Sequence, residues 1–178
     1  MPYGDSPFDD EPVGETVYMD ILNRAKKYVH IMTPYLIIDQ SMITALTFAA
    51  KRGVDVKLIL PHIPDKKFAF ALAKSHYKEL LKAGVRIYEY TPGFVHAKIF
   101  TSDDEKAVVG TINLDYRSLY LHFECAAFLY QVEEIAEIEK DFQRTLEKCQ
   151  EVTLENRKKG TFFLRLEGWL LKWLAPLM

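Results

Sequence analysis

A chain of 178 residues in which 49% of side chains are apolar and 27% charged has ordinary globular composition, and is long enough for one domain with its own core. A formal net charge of −2, without a basic tail or a lysine–arginine block, argues against affinity for nucleic acid through bulk electrostatics. No signal peptide opens the chain, no apolar run reaches the ~20 residues that cross a bilayer, and Cys125 and Cys149 lack the spacing of a metal or redox motif, so both are expected as free thiols.

The opening "MPYGDSPFDDEPVGE" is rich in proline, glycine and aspartate, so residues 1–14 are expected to be a connector following a region that is missing upstream. Residues 15–152 are expected to hold the folded domain. Apolar spacing at Val17, Ile21, Leu22 and Ala25 predicts a helix over 15–29, and "YVHIMTPYL" (28–36) predicts a buried strand that ends near Pro34. Residues 39–53 predict a second helix, with Asp39 as N-cap and Gly53 as its terminator. A strand over 54–61, a helix over 65–84 closed by glycine, and a strand over 85–90 follow. This alternation argues for parallel strands joined by right-handed crossovers.

Residues 95–111 break the pattern and predict a hairpin about the acidic turn at residues 102–105. A further strand is expected over 122–131 and a long amphipathic helix over 132–152. The fold class is therefore α/β: a mixed sheet of about six or seven strands flanked by helices on both faces, with the site at one edge of the sheet. Residues 153–178 are expected to carry a C-terminal amphipathic helix. Its apolar stretch 161–178, with Arg165, Lys172, Trp169 and Trp173, suits either packing on a domain or lying in a membrane interface with snorkelling cations.

The chemistry is concentrated in "FVHAKIFTSDDEKAVVGTINLDYRS" (94–118), which contains the pattern H-x-K-x4-D-x6-G-T-x-N. On a strand, His96 and Lys98 point to the same face. A neutral imidazole can attack phosphorus to give a phosphohistidine, and a neighbouring ammonium can hold phosphate oxygens. Asn113 adds amide donors and Thr111 a hydroxyl for the charge that gathers in the transition state. Glu124, on the next strand, is the candidate to fix the second nitrogen of His96. The acidic residues 103–105 are expected as a solvated turn, and this route requires neither metal nor cofactor. Asp115, Arg117 and Tyr35 are candidates for substrate binding: Arg117 could hold a second phosphate or a headgroup, with a helix-cap salt bridge to Asp115 as the alternative, and Tyr35 sits at a strand end, where a core tyrosine is the alternative. His30, His62, His76 and His122 are expected to be structural or surface residues.

His96, Lys98, Asp103, Gly110 and Asn113 resemble the HKD motif of the phospholipase D superfamily. "GTINLDYRS" (110–118), "FECAAFLY" (123–130), "YGDSPFDDEPVGE" (3–15) and "TPYLIID" (33–39) resemble, more narrowly, the C-terminal catalytic half of bacterial cardiolipin synthases. The resemblance implies phosphatidyl transfer between two phosphatidylglycerol molecules to give cardiolipin and glycerol. It implies His96, Lys98, Asn113 and Glu124 in the active site, Asp103 mainly supporting the hairpin, and Gly110 and Thr111 in support. In that family two HKD segments meet across a pseudo-twofold axis, one histidine acting as nucleophile and the other protonating the leaving alkoxide.

A second H-x-K-x4-D is absent from these 178 residues. The expected partners are therefore an N-terminal HKD half or a homodimer mate, together with anionic phospholipid and a membrane surface. The chain alone is expected to be inactive or weak. The resemblance places the parent protein at the cytoplasmic face of the cell membrane, with this chain soluble or peripheral. The rival readings are a homodimeric phosphodiesterase or nuclease and a silent domain that binds a membrane or partner.

Overall fold

The computed structural model describes residues 1–8 and 10–155. Its centre is built as the alternation predicts. Strand β2 (Tyr28–Met32) leads through helix α2 (Gln40–Lys51) to β4 (Asp55–Pro61), which leads through α3 (Lys67–Lys82) to β5 (Arg86–Tyr90), and the three strands pair in parallel. Sequence punctuation sets these limits. The Asp39 carboxylate accepts from the Met42 N–H at 2.9 Å and caps α2, while Gly53 (φ 91°) and Gly84 (φ 99°) take the left-handed conformation that ends α2 and α3.

Helix α1 (Val13–Arg24) precedes β2, and β3 (Leu36–Ile37) follows it. The antiparallel portion comprises β6 (Ile99–Ser102), β7 (Lys106–Gly110) and β9 (Glu124–Tyr130). The turn between β6 and β7 places Asp103 (φ 57°) and Asp104 (φ 60°) in the left-handed region, which aspartate tolerates better than most residues. Between β7 and β9 lie the short β8 (Leu114–Asp115), paired in parallel with β3, and one turn of π-helix at Arg117–Leu121.

Three expectations are corrected. The stretch read as a connector carries β1 (Pro2–Asp5), which pairs antiparallel with β9 and forms one edge of the sheet. The helix expected over 132–152 stops early, as α4 (Glu134–Leu146). The chain then turns back as β10 (Cys149–Val152), which pairs antiparallel with β5 and covers what would be an open edge. The main sheet accordingly has eight strands, in the order β1-β9-β7-β6-β2-β4-β5-β10, rather than six or seven. The helix expected within 153–178 falls, from residue 156 onward, outside the described residues.

Helices cover both faces, and strand alternation decides which side chains meet them. Val29 and Ile31 of β2 and Val56, Leu58 and Leu60 of β4 pack with Tyr18, Leu22, Met42, Leu46 and Tyr77 from α1, α2 and α3. On the other face Met32, Ile59, Tyr88 and Val95 pack with Phe142 of α4. His30 also faces this side, stacked on Phe142 at 4.7 Å, with its Nδ1 2.7 Å from Glu139. A one-residue slip of β2 would exchange the two faces. Each fully buried aliphatic side chain contributes roughly 1.5–3 kcal/mol, so the register is strongly held.

Candidate active site

Four strands bring the motif together at one end of the sheet. Strand β6 runs antiparallel to β2, so Ile99 pairs with Met32 and residues 96–98 enter beside the exit of β2. At the same end β7 leaves through Gly110, opposite Ala126, and β9 opens with Glu124. The site therefore lies across the strand ends at one end of the sheet.

His96 and Lys98 are not on a strand. Strand β6 begins only at Ile99, the residue at which its pairing ends with Met32 of β2 on one side and with Val109 of β7 on the other. Backbone pairing reaches back only to the Lys98 carbonyl, which accepts from the Gly110 N–H at 3.3 Å. The side chains nevertheless converge. Lys98 Nζ lies 3.0 Å from His96 Nδ1 and 3.1 Å from Nε2, and donates to the His96 carbonyl oxygen at 2.9 Å. Partial burial holds the Lys98 pKa below the ordinary lysine value, with the carboxylates of Glu124 and Asp115 acting in the opposite sense.

Glu124 does not hydrogen-bond His96 within this chain, against expectation. Its carboxylate accepts from the Thr111 hydroxyl and lies 3.7 Å from His122 Nδ1. Thr111 wins because it is tied to the start of β9. Its N–H donates to the Cys125 carbonyl at 2.9 Å, and its hydroxyl oxygen accepts from the Cys125 N–H at 3.0 Å. Gly110 permits this closeness, since a Cβ there would lie 2.4 Å from the Cys125 carbonyl oxygen and 2.6 Å from Ala126 Cα.

Asn113 donates through Nδ2 to Ser118 Oγ at 3.0 Å, while its buried Oδ1 has no hydrogen-bond partner among the described residues. Asp115 is buried and accepts from the Ser118 N–H at 2.8 Å. Burial pushes the Asp115 carboxyl above its ordinary pKa, the Ser118 N–H opposes this, and the charge of Glu124 adds to the rise.

Asp103 lies at the other end of the hairpin. Its carboxylate accepts from the N–H groups of Lys26 (2.7 Å), Lys27 (2.8 Å) and Tyr28 (2.9 Å), tying the β6–β7 turn to the start of β2. Tyr35 donates to Asp65 at 2.5 Å, and burial together with this bond raises its pKa. Phe94 lies between the two aromatic groups, 6.4 Å from the Tyr35 ring and 5.8 Å from His96. Arg117 is exposed and borders a recess that also includes Tyr35, Asn113, Asp115 and Glu124.

Sequence reasoning missed Phe94, Lys66 and His122 at this end of the fold. His122 was findable, because it precedes Glu124 by two residues. Lys66 carried no signal, since only tertiary folding brings it near Asn113. Among the described residues no cluster of histidine, cysteine, aspartate or glutamate has the arrangement to hold a metal, and no helix is long and apolar enough to cross a membrane.

Residues 18–146 match the family model described as cardiolipin synthase, PLD-like domain. The chain belongs to this family. An uncharacterized protein of Streptococcus mutans is 60% identical over 178 residues, covering 100% of this chain and 39% of that protein. A cardiolipin synthase of Clostridium perfringens is 42% identical over 161 residues, covering 90% of this chain and 34% of the synthase. The chain thus spans between a third and two-fifths of the length of these relatives.

Solved structures share the PLD-like fold. The phospholipase D family member Nuc from Salmonella typhimurium aligns with a TM-score of 0.71 at 16% identity, over 85% of this chain and 99% of that one. Phosphatidylserine synthase from Haemophilus influenzae aligns with a TM-score of 0.75 at 16% identity, over 99% of this chain and 47% of that one.

Proposed function

We propose that this PLD-like domain supplies one of two half-sites for phosphatidyl transfer between phosphatidylglycerol molecules. The observation that carries the reading is the convergence of the Lys98 ammonium and the His96 imidazole at the end of the sheet. In this scheme a ring nitrogen of His96 attacks the phosphorus of a phosphatidylglycerol. The P–N bond forms, the P–O bond to the headgroup glycerol breaks, and the leaving alkoxide takes a proton from the imidazolium of the second half-site. Lys98 holds phosphate oxygens, and Asn113 and Thr111 support the transition state. A hydroxyl of the second phosphatidylglycerol then attacks phosphorus, its proton passes to that second imidazole, and the electron pair of the P–N bond returns to His96.

The second imidazole comes either from another HKD segment, in the length by which the relatives exceed this chain, or from a second copy across a twofold axis. The net charge of −2 weighs against the nuclease alternative. The test uses the intact enzyme with both half-sites, phosphatidylglycerol vesicles labelled at phosphorus, rapid quenching at alkaline pH and mapping of the labelled peptide. Label on His96, lost in His96→Ala together with turnover, is the expected result. Full turnover by the His96→Ala protein would overturn the reading.

A further inference from the structure

Next to the catalytic cluster is a recess of about 180 Å³ that shares Asn113 and Glu124 with it but is not lined by His96 or Lys98. Its lining divides into two chemistries. Lys66 and Arg117 contribute cationic donors, and among the described residues neither forms an ion pair. Lys66 is held over the Tyr35 ring with Nζ 5.6 Å from its centroid. Asp115 and Glu124 contribute carboxylates, and Asn113 contributes a buried Oδ1 that lacks a hydrogen-bond partner among the described residues. His122, also at the recess, lies 3.7 Å from Glu124.

Cations that bind phosphate beside acceptors that bind hydroxyl groups describe a phosphorylated polyol. A buried carbonyl oxygen left unpaired is costly, and a ligand hydroxyl would satisfy it. Size narrows the choice further. Pockets for drug-sized ligands run from roughly 300 to 1,000 Å³, so this one suits a headgroup and leaves acyl chains outside.

We infer that this recess is the acceptor subsite. It takes the glycerophosphate headgroup of the incoming lipid, with the phosphodiester against Lys66 and Arg117 and the glycerol hydroxyls toward Asn113 and Glu124, on the side of His96. The inference rests on the phosphatidyl-transfer reading, and it separates the donor phosphate at His96 and Lys98 from the acceptor phosphate at Lys66 and Arg117.

The test is calorimetric titration of the 178-residue chain with glycerophosphoglycerol, the deacylated form of phosphatidylglycerol, with inorganic phosphate and glycerol as comparison ligands. Glycerophosphoglycerol is expected to bind more tightly than either. Lys66→Ala and Arg117→Ala should each weaken it about 10-fold or more, as loss of a charge-assisted hydrogen bond requires, while Lys82→Ala, at an exposed lysine outside the recess, should change it by less than about twofold. Unchanged binding in the Lys66 and Arg117 variants, an equal loss of binding in Lys82→Ala, or equal affinity for inorganic phosphate would each overturn the subsite. His96→Ala keeps the failures distinct. Cleavage that survives it removes the transfer reading, whereas the binding result judges the recess alone.

Discussion

The Lys98 ammonium lies within about hydrogen-bond distance of both ring nitrogens of His96, at 3.0 and 3.1 Å, and is held in place by the His96 carbonyl at 2.9 Å. An ammonium almost equidistant from both nitrogens does not lie along the in-plane lone pair of either, so it acts on the ring as a neighbouring charge tethered by the carbonyl. Once phosphate binds, the same ammonium can exchange the imidazole for a phosphate oxygen without moving far.

Removing either group should therefore separate two roles. In the intact enzyme with both half-sites, His96→Ala should reduce turnover of phosphatidylglycerol at least about 1,000-fold, as deletion of a nucleophile does. Lys98→Met should reduce it about 100-fold or more while retaining a detectable covalent adduct on His96. Lys98→Arg should recover part of the rate, since charge is restored and geometry is not. The readout is turnover together with adduct formation. An active His96→Ala protein, or a Lys98→Met protein of normal rate, would contradict the assignment.

Gly110 supports the site by what it lacks. A methyl group there would meet the Cys125 carbonyl oxygen at 2.4 Å and Ala126 Cβ at 2.5 Å, and most of that contact is with the backbone of β9. Gly110→Ala should force β7 from β9 and cost about 1–3 kcal/mol, lowering Tm by roughly 4–8 °C at the middle of that range. Thermal unfolding measures it. Val109→Ala, at a side chain 38% exposed one residue earlier, should change Tm far less.

Much of this architecture was legible because local signals agreed with the global fold. Asp39, Gly53, Pro61 and Gly84 punctuate the parallel core, and the alternation of Val29, Ile31, Val56 and Leu58 assigns its faces. The short strands were not legible. Pro2–Asp5 and Cys149–Val152 owe their conformation to partners more than fifty residues away, and neither carries a strong period-two pattern of its own. The site showed the same division. The motif marked His96 and Lys98, but the preference of Glu124 for Thr111 depends on how β7 and β9 meet, which spacing along the chain does not encode.

The Asp39 cap can be isolated from the packing it serves. Its carboxylate accepts from the Met42 N–H at 2.9 Å and from the Tyr120 hydroxyl at 3.3 Å, so it joins the start of α2 to the π-helical turn. Asp39→Ala should lower stability by about 1 kcal/mol, and Asp39→Ser should restore most of the loss, because serine caps through its hydroxyl. Urea unfolding gives the difference. Equal losses for both variants would mean that the contacts of the carboxylate with Tyr120 and Ser41, and not the cap, carry the effect.

Asp103 offers a prediction in which pH decides the sign. Burial raises its pKa, but the N–H donors of Tyr28, Lys26 and Lys27 outweigh burial, with Lys27 adding its charge, so the folded value lies below the ordinary one. A carboxyl whose folded pKa is depressed stabilises fully above its unfolded value of about 3.9, and this stability is lost as pH falls through the lower folded value. Asp103→Asn tests the charge without confounding conformation, because asparagine tolerates the left-handed φ of 57° and keeps one acceptor oxygen. At pH 7 it should cost roughly 1 kcal/mol, a figure already reduced for the exposure of the turn. Below about pH 4 the gap between the two proteins should narrow, and it should close once the native carboxyl is protonated. Denaturant unfolding at pH 7, 5, 4 and 3 follows it. A gap that stays constant to the lowest pH would show that the charge of Asp103 does not hold the hairpin to β2.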